Sequence, residues 1–181
     1  MHDTVEAAED PLPLLFLDID GPLIPFGAPP PQGYPAYGTP SAPHGADSNP
    51  LLARVDPAHG TRLAALPCEL VWATTWEEEA NECLAPLLGL PPLAVVDWPE
   101  PSAAAHEQDV RAGLHWKTRT LVARAAGRPF VWVDDELTAA DRTWTAAHHG
   151  GHALLHRVDP GTGLTGADYA ALDAWLRRRP R

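Results

Sequence analysis

The chain has 181 residues, 45% hydrophobic and 20% charged, the balance of a soluble globule with room for one well-buried domain rather than two. Thirteen basic against 24 acidic residues leave a net charge of −11, a field that repels polyanions and disfavours broad electrostatic capture of DNA or RNA. A small phosphorylated substrate stays open, because a bound divalent cation reverses the local sign. No apolar run approaches the roughly 20 residues that span a bilayer. The opening MHDTVEAAEDPLP has neither the basic nor the apolar segment of a secretory signal, so a cytoplasmic location without membrane partners is expected. Cys68 and Cys83 sit in no CxxC or Cys/His array and read as structural thiols.

In chain order, residues 1–13 read as a tail and 14–179 as a single domain. LLFLDI (14–19) is a short apolar run ending in acid and glycine, which predicts a buried strand and a tight turn. Residues 25–55 open with a stretch dense in Pro and Gly, which can form neither helix nor central strand. That insertion is either a short flap carrying Tyr34 and Tyr37 toward a substrate or a Pro-rich linker loop. Beyond it the pattern predicts a helix over 57–66, a strand over 69–74 and a helix over 76–88 that opens with Glu77, Glu78 and Glu79. A strand over 93–98 and a polar connection follow. The rest reads as a helix over 115–127, a strand over 129–135, a helix over 138–149, a strand over 152–158 and a closing helix over 165–179. Short apolar strands alternating with helices predict an α/β fold, a Rossmann-like three-layer sandwich around a five-stranded parallel sheet. In such a sheet the ligand lies beyond the carboxyl ends of the strands.

Three predicted strands end in polar residues able to converge at that edge. The first ends in Asp18-Ile19-Asp20-Gly21, the second in Thr74-Thr75, the fourth in Asp134-Asp135, and Lys117 opens the helix before the fourth. Crowded carboxylates repel one another unless a cation compensates, and Mg²⁺ suits an all-oxygen site that also takes a phosphate. A carboxylate held ionised there can attack phosphorus, and a second one two residues on can move the proton. Lysine and a threonine hydroxyl would hold the phosphoryl oxygens.

Here the motifs acquire a family likeness. LLFLDIDGPL resembles the first motif of the haloacid dehalogenase-like (HAD) superfamily, a hydrophobic strand ending in Asp-x-Asp-Gly. ELVWATT is similar to the second motif, Lys117 to the third-motif lysine, and FVWVDDE to the double-aspartate fourth motif. By that resemblance Asp18 is the nucleophile, Asp20 the general acid/base, Thr74 the phosphate-binding hydroxyl and Lys117 the charge stabiliser. The metal, Mg²⁺, would be held by Asp18, Asp134, Asp135 and Asp20, the last through its backbone. WATTWEEEAN, LGLP, WVDDE and GLTGADYAALDAWL further resemble HAD domains associated with Swiss-army-knife RNA-repair proteins. The likeness implies a phosphatase working through an aspartyl-phosphate on a phosphorylated small molecule or nucleotide. The rival readings are a nucleic-acid end (3′-phosphate) phosphatase and a non-catalytic binding or regulatory protein.

Individual residues keep plain alternatives. Either Thr74 or Thr75 can begin a capping box; Thr74 is expected on phosphate and Thr75 at the cap. Among seven tryptophans, Trp72 and Trp132 fall inside strands and read as core, whereas Trp76, Trp98 and Trp116 fall near the proposed mouth, as core residues or as stacking surfaces for a base. His148, His149, His152 and His156 read as helix-end and surface histidines rather than a metal set. Asp97 is a site residue or a turn acid. Arg177, Arg178, Arg179 and Arg181 read as a solvated helix end.

Overall fold

The computed structural model describes residues 11–37 and 49–178. Most of the tail (residues 1–10), part of the 25–55 insertion (38–48), Arg179 and Arg181 lie outside the described residues. Five parallel strands run in the order β3-β2-β1-β4-β5, from β1 (Leu14–Leu17), β2 (Glu69–Trp72), β3 (Ala94–Val95), β4 (Phe130–Asp134) and β5 (Ala153–Arg157). The helices are α1 (Ala58–Ala64), α2 (Ala85–Leu88), α3 (Ala103–Ala112), α4 (Thr118–Ala125), α5 (Ala139–His148) and α6 (Gly166–Leu176). This is the α/β parallel sheet that the alternating pattern predicts.

Side-chain alternation along the strands divides the core in two. Leu15, Leu17, Val131 and Val133 face one way and pack with α1, α2 and α6 through Leu63, Leu88, Leu172 and Leu176. Leu14, Phe16, Phe130 and Trp132 face the other way, with Leu121 and Ala125 of α4 and with Leu137 just ahead of α5. Strand β1 is buried throughout, as a central parallel strand must be. Between α1 and α2 the backbones meet so closely that a Cβ on Gly60 would lie 1.7 Å from the Leu88 carbonyl oxygen.

Two helical expectations need correction. The connection after β3 contains α3, started by Ser102, whose side chain accepts from the Ala105 N–H, and stopped by Gly113. It escapes periodicity analysis because it has no apolar face: none of its residues is buried, and Val110 is 65% exposed. The helix expected over 76–88 is not continuous. Residues 76–78 are turns, Ala80–Leu84 is a π-helical turn, and only Ala85–Leu88 is α-helical. Glu77 sits at φ +48°, which interrupts a right-handed helix, and Pro86 has no N–H to continue the regular ladder. Thr75 is exposed, and among the described residues its side chain caps nothing; the Trp76 N–H instead donates to Thr74 Oγ1 at 3.3 Å.

The described part of the insertion packs against the domain. Arg54 Nη1 donates to the Pro25 carbonyl at 2.8 Å, and its guanidinium lies 4.3 Å from the centre of the Tyr34 ring. Tyr34 and Tyr37 line a cavity of about 370 Å³ shared with α1 and the loop after β5. None of the expected catalytic residues lines it, so these tyrosines have a chamber of their own.

Helix α4 ends on Ala126 at φ +49°, a left-handed position where a Cβ costs roughly 1 kcal/mol. Ala126→Gly is expected to stabilise the protein by about 0.5–1 kcal/mol, measured as a raised urea midpoint at constant m-value. An unchanged or lowered midpoint contradicts the left-handed helix end.

Candidate active site

The strand register brings the acids together. Leu17 pairs with Trp72 on one side and Val133 on the other, so Asp18 emerges between Ala73 and Asp134. Asp18 and Asp134 continue the alternation of Phe16 and Trp132, toward the face covered by α4. Lys117 stands immediately before α4 and meets both, its Nζ lying 2.9 Å from Asp18 Oδ2 and 2.9 Å from Asp134 Oδ2. All three are buried.

Each carboxylate has a different set of partners. Asp18 Oδ1 accepts from the Ile19 N–H at 2.9 Å. Asp134 is the most fully engaged: Oδ2 takes Lys117 and the Trp132 indole N–H at 3.1 Å, and Oδ1 takes the Glu136 N–H at 3.0 Å. Asp135 has no such anchors among the described residues and lies against the turn after β1. Gly21 there has φ +90°, and a Cβ on it would sit 2.7 Å from Asp135 Cγ, so this glycine serves both the turn and the close approach. One oxygen from each of Asp18, Asp134 and Asp135 lies within 4.8 Å of the others, a donor set suited to a hard divalent cation.

Burial and charge set the protonation of this cluster. Removal from water raises the Asp18 pKa to about 7; Lys117 pulls it down and Asp134 pushes it up, but desolvation wins. Burial, with the Asp134 charge, also raises Asp135. For Lys117 burial alone would lower the pKa, but the two aspartates outweigh it and hold the ammonium charged. Three ionised carboxylates facing one ammonium would carry two uncompensated negative charges, which a divalent cation would neutralise.

Asp20 is half-buried, and its Oδ2 accepts the Trp76 indole N–H at 3.0 Å. Thr74 is fully buried, with its carbonyl accepting the Trp98 indole N–H at 3.0 Å. Trp98 packs edge-on against Trp116 at 4.7 Å, and the Trp116 ring centre lies 5.6 Å from Lys117 Nζ. Trp76, Trp98 and Trp116 therefore surround the site in distinct ways, whereas the exposed Thr75 makes no side-chain hydrogen bond to it among the described residues. Asp97 is exposed beyond β3.

Several residues acquire roles that their sequence context does not announce. Trp132, read as core, is also a hydrogen-bond donor to Asp134. Asp141, fully buried, accepts from the His115 N–H at 2.8 Å and the Thr118 hydroxyl at 2.7 Å, clamping both sides of Lys117 to the start of α5. Its other oxygen closes a capping box with Thr138. The Thr138-x-x-Asp141 spacing was the available signal. The C-terminal histidines do not gather: His148 bonds the Trp144 carbonyl, His156 pairs with Asp168 at 2.8 Å, and His149 is buried against Phe130 rather than at the surface. Burial lifts the Cys68 thiol to about 12, consistent with an unreactive structural thiol.

A carboxyl whose pKa is higher folded than unfolded favours folding at low pH, and that contribution is lost as the pH rises through the folded value, here about 7. In chelator, Asp18→Asn is expected to exceed the wild type in stability at pH 8 by about 1–3 kcal/mol, the gain shrinking as the pH falls toward 4. Urea unfolding across that range checks it; a variant less stable than wild type at pH 8 contradicts this charge balance.

The family whose model matches the chain, over residues 14–169, is described as the HAD domain in Swiss Army Knife RNA repair proteins. No curated protein and no solved structure matches it. Among the described residues no helix is long and apolar enough to cross a membrane. With the parallel sheet and the acidic cluster at its carboxyl edge, the match over most of its length places the chain in that family: it is a HAD-type hydrolase domain.

Proposed function

We propose that the protein is a Mg²⁺-dependent phosphatase that hydrolyses a phosphomonoester through an aspartyl-phosphate on Asp18. The observation that carries this reading is the buried Lys117 ammonium shared between Asp18 and Asp134, with the free oxygens of Asp135 beside them. The donor set fits Mg²⁺: Asp18 and Asp135 offer the less engaged carboxylate oxygens, Asp134 lies within reach, and Asp20, one residue before the Gly21 that lies against Asp135, would add its backbone carbonyl. When bound, the ion supplies neutralisation of the carboxylates and of the incoming phosphate.

The residues then divide the chemistry. Asp18 forms the new bond to phosphorus as the bond to the leaving-group oxygen breaks, and Asp20 gives that oxygen its proton. In the second half Asp20 takes a proton from water, which attacks phosphorus, and the bond to Asp18 breaks to release phosphate and the free carboxylate. Lys117 keeps Asp18 from rotating and stabilises charge on the phosphoryl oxygens, with the Thr74 segment as the second anchor. The Trp76 indole holds Asp20 aimed at the leaving group. A second reading, in which the ester is the phosphorylated end of a nucleic acid, draws support from the RNA-repair description of the family.

A panel of phosphoesters assayed with and without Mg²⁺ is expected to show metal-dependent release of phosphate by wild type and a loss of at least about 10³-fold in Asp18→Asn. Turnover retained in that variant contradicts the mechanism; Mg²⁺ binding with no hydrolysis of any ester indicates a binding role instead. Trp76→Phe, which keeps the ring but not the donor, is expected to lower kcat about tenfold with KM little changed, a fraction of the 10²–10⁴ that general acid–base catalysis supplies. A rise confined to KM would place Trp76 in ground-state binding.

A further inference from the structure

The described part of the insertion, the loop after β5 and α1 enclose the chamber of about 370 Å³, the size of a small-molecule site. It lies apart from the acidic cluster. The turn after β1 presents Gly21 to Asp135, and Pro25 further along the same segment lines the chamber instead. Its charged lining is Arg54, Arg62 and Asp56. Two guanidiniums against one carboxylate leave the chamber positive, in a chain with 24 acidic and 13 basic residues. His59 adds no charge at neutral pH, because burial lowers its pKa, against the pull of Asp56 and with a further push from Arg62.

Neither guanidinium is saturated. Arg54 stacks on Tyr34 and gives the Nη1 N–H to the Pro25 carbonyl at 2.8 Å. Arg62 lies 5.5 Å from the centre of the Tyr169 ring and makes no hydrogen bond or ion pair among the described residues. With five N–H donors on each guanidinium, most of this donor capacity faces a ligand. The acid is better engaged, since Asp56 Oδ1 accepts the Ala58 N–H at 2.9 Å. Burial and then the Asp56 charge raise the Tyr37 pKa, so that phenol keeps its proton. Around these polar groups Tyr34, Pro30, Pro35 and Leu164 supply flat apolar walls.

We infer that this chamber binds a small organic anion with a flat apolar body, its oxyanion held by Arg62 with Arg54 as the second cation. A carboxylate matches the guanidinium fork two bonds at a time, and the charge assistance offsets its loss of water. A flat ring packs on tyrosine and proline faces without needing polar partners of its own. The site stands independently of the phosphatase reading, because none of the expected catalytic residues lines it and no Mg²⁺ is needed to reverse its charge.

Three probes of one shape and different charge test it: naphthalene-2-carboxylate, 2-naphthamide and 2-naphthamidine, titrated by ligand-observed NMR. The carboxylate is expected to bind wild type with a Kd of about 1 mM or tighter and at least about tenfold tighter than the amide. No binding of the carboxylate at about 10 mM overturns the site, and an amide or amidine that binds as well overturns the anion assignment. Arg62→Gln is expected to weaken the carboxylate about tenfold, with Arg62→Lys recovering only part, because a point charge lacks the fork. Unchanged affinity in Arg62→Gln contradicts the role of this guanidinium. Thr162→Phe, at an exposed position of the lining, fills the chamber without touching either arginine. It is expected to abolish binding at an unchanged urea midpoint, and retained affinity there puts the probe elsewhere. The carboxylate is expected to bind equally in Mg²⁺ and in chelator; binding that appears only with Mg²⁺ places it on the acidic cluster and overturns a separate site.

Discussion

The structure depends on one buried ammonium. Lys117 Nζ sits between Asp18 and Asp134, and without it two carboxylates from adjacent strands would face each other away from water. Breaking such a buried ion pair by removing one partner is far costlier than never having built it, because an uncompensated charge is left behind. The protein holds the lysine from both sides: Asp141 anchors the His115 N–H ahead of it and the Thr118 hydroxyl after it. Even so burial raises the pKa of Asp18, against the pull of Lys117 and with a smaller push from Asp134. The three carboxylates against one ammonium leave a negative charge that the proposed divalent cation would offset.

The parallel sheet makes this arrangement inexpensive in chain. Adjacent strands β1 and β4 end in register, so the residues just past Leu17 and Val133 are neighbours without any loop having to place them. Alternation sends Asp18 and Asp134 to the α4 side, where Lys117 waits, and leaves Asp135 toward the Gly21 turn. The acids thereby acquire different surroundings although two are consecutive in sequence: Asp134 is saturated by three donors, and Asp135 remains open. The indole donors add a second layer, with Trp132 on Asp134, Trp76 on Asp20 and Trp98 on the Thr74 carbonyl. Three of the seven tryptophans thus serve the site through their N–H groups as well as their area.

Legibility of the sequence follows the physical range of each signal. Strands announce themselves locally, and LLFLDIDG and FVWVDDE carry both the strand and the acid that follows it, so the sheet and the acidic edge could be read directly. Helix α3 could not be read from periodicity because it buries nothing, although Ser102 and Gly113 marked its ends. The region 76–88 misled in the opposite way: its composition is helical, yet Glu77 adopts a left-handed conformation and Pro86 interrupts the ladder. The reach of Asp141 to His115 and Thr118, and the Trp76 and Trp98 indole donors, were invisible because each joins residues that only the fold brings together, 56 positions apart in the case of Trp76 and Asp20. Asp134 illustrates the limit best, since its residue type suggests a metal ligand and only its three donors reveal the anchor.

The claim on which the account turns is that Asp18, held by Lys117, becomes covalently phosphorylated. Rapid acid quench of wild type during turnover, followed by peptide mass mapping, tests it most directly. One added phosphoryl group is expected on the peptide containing Asp18, discharged by hydroxylamine as an acyl phosphate is and absent from Asp18→Asn. Turnover with no phosphoryl on that peptide, or with the phosphoryl on another residue, would contradict it.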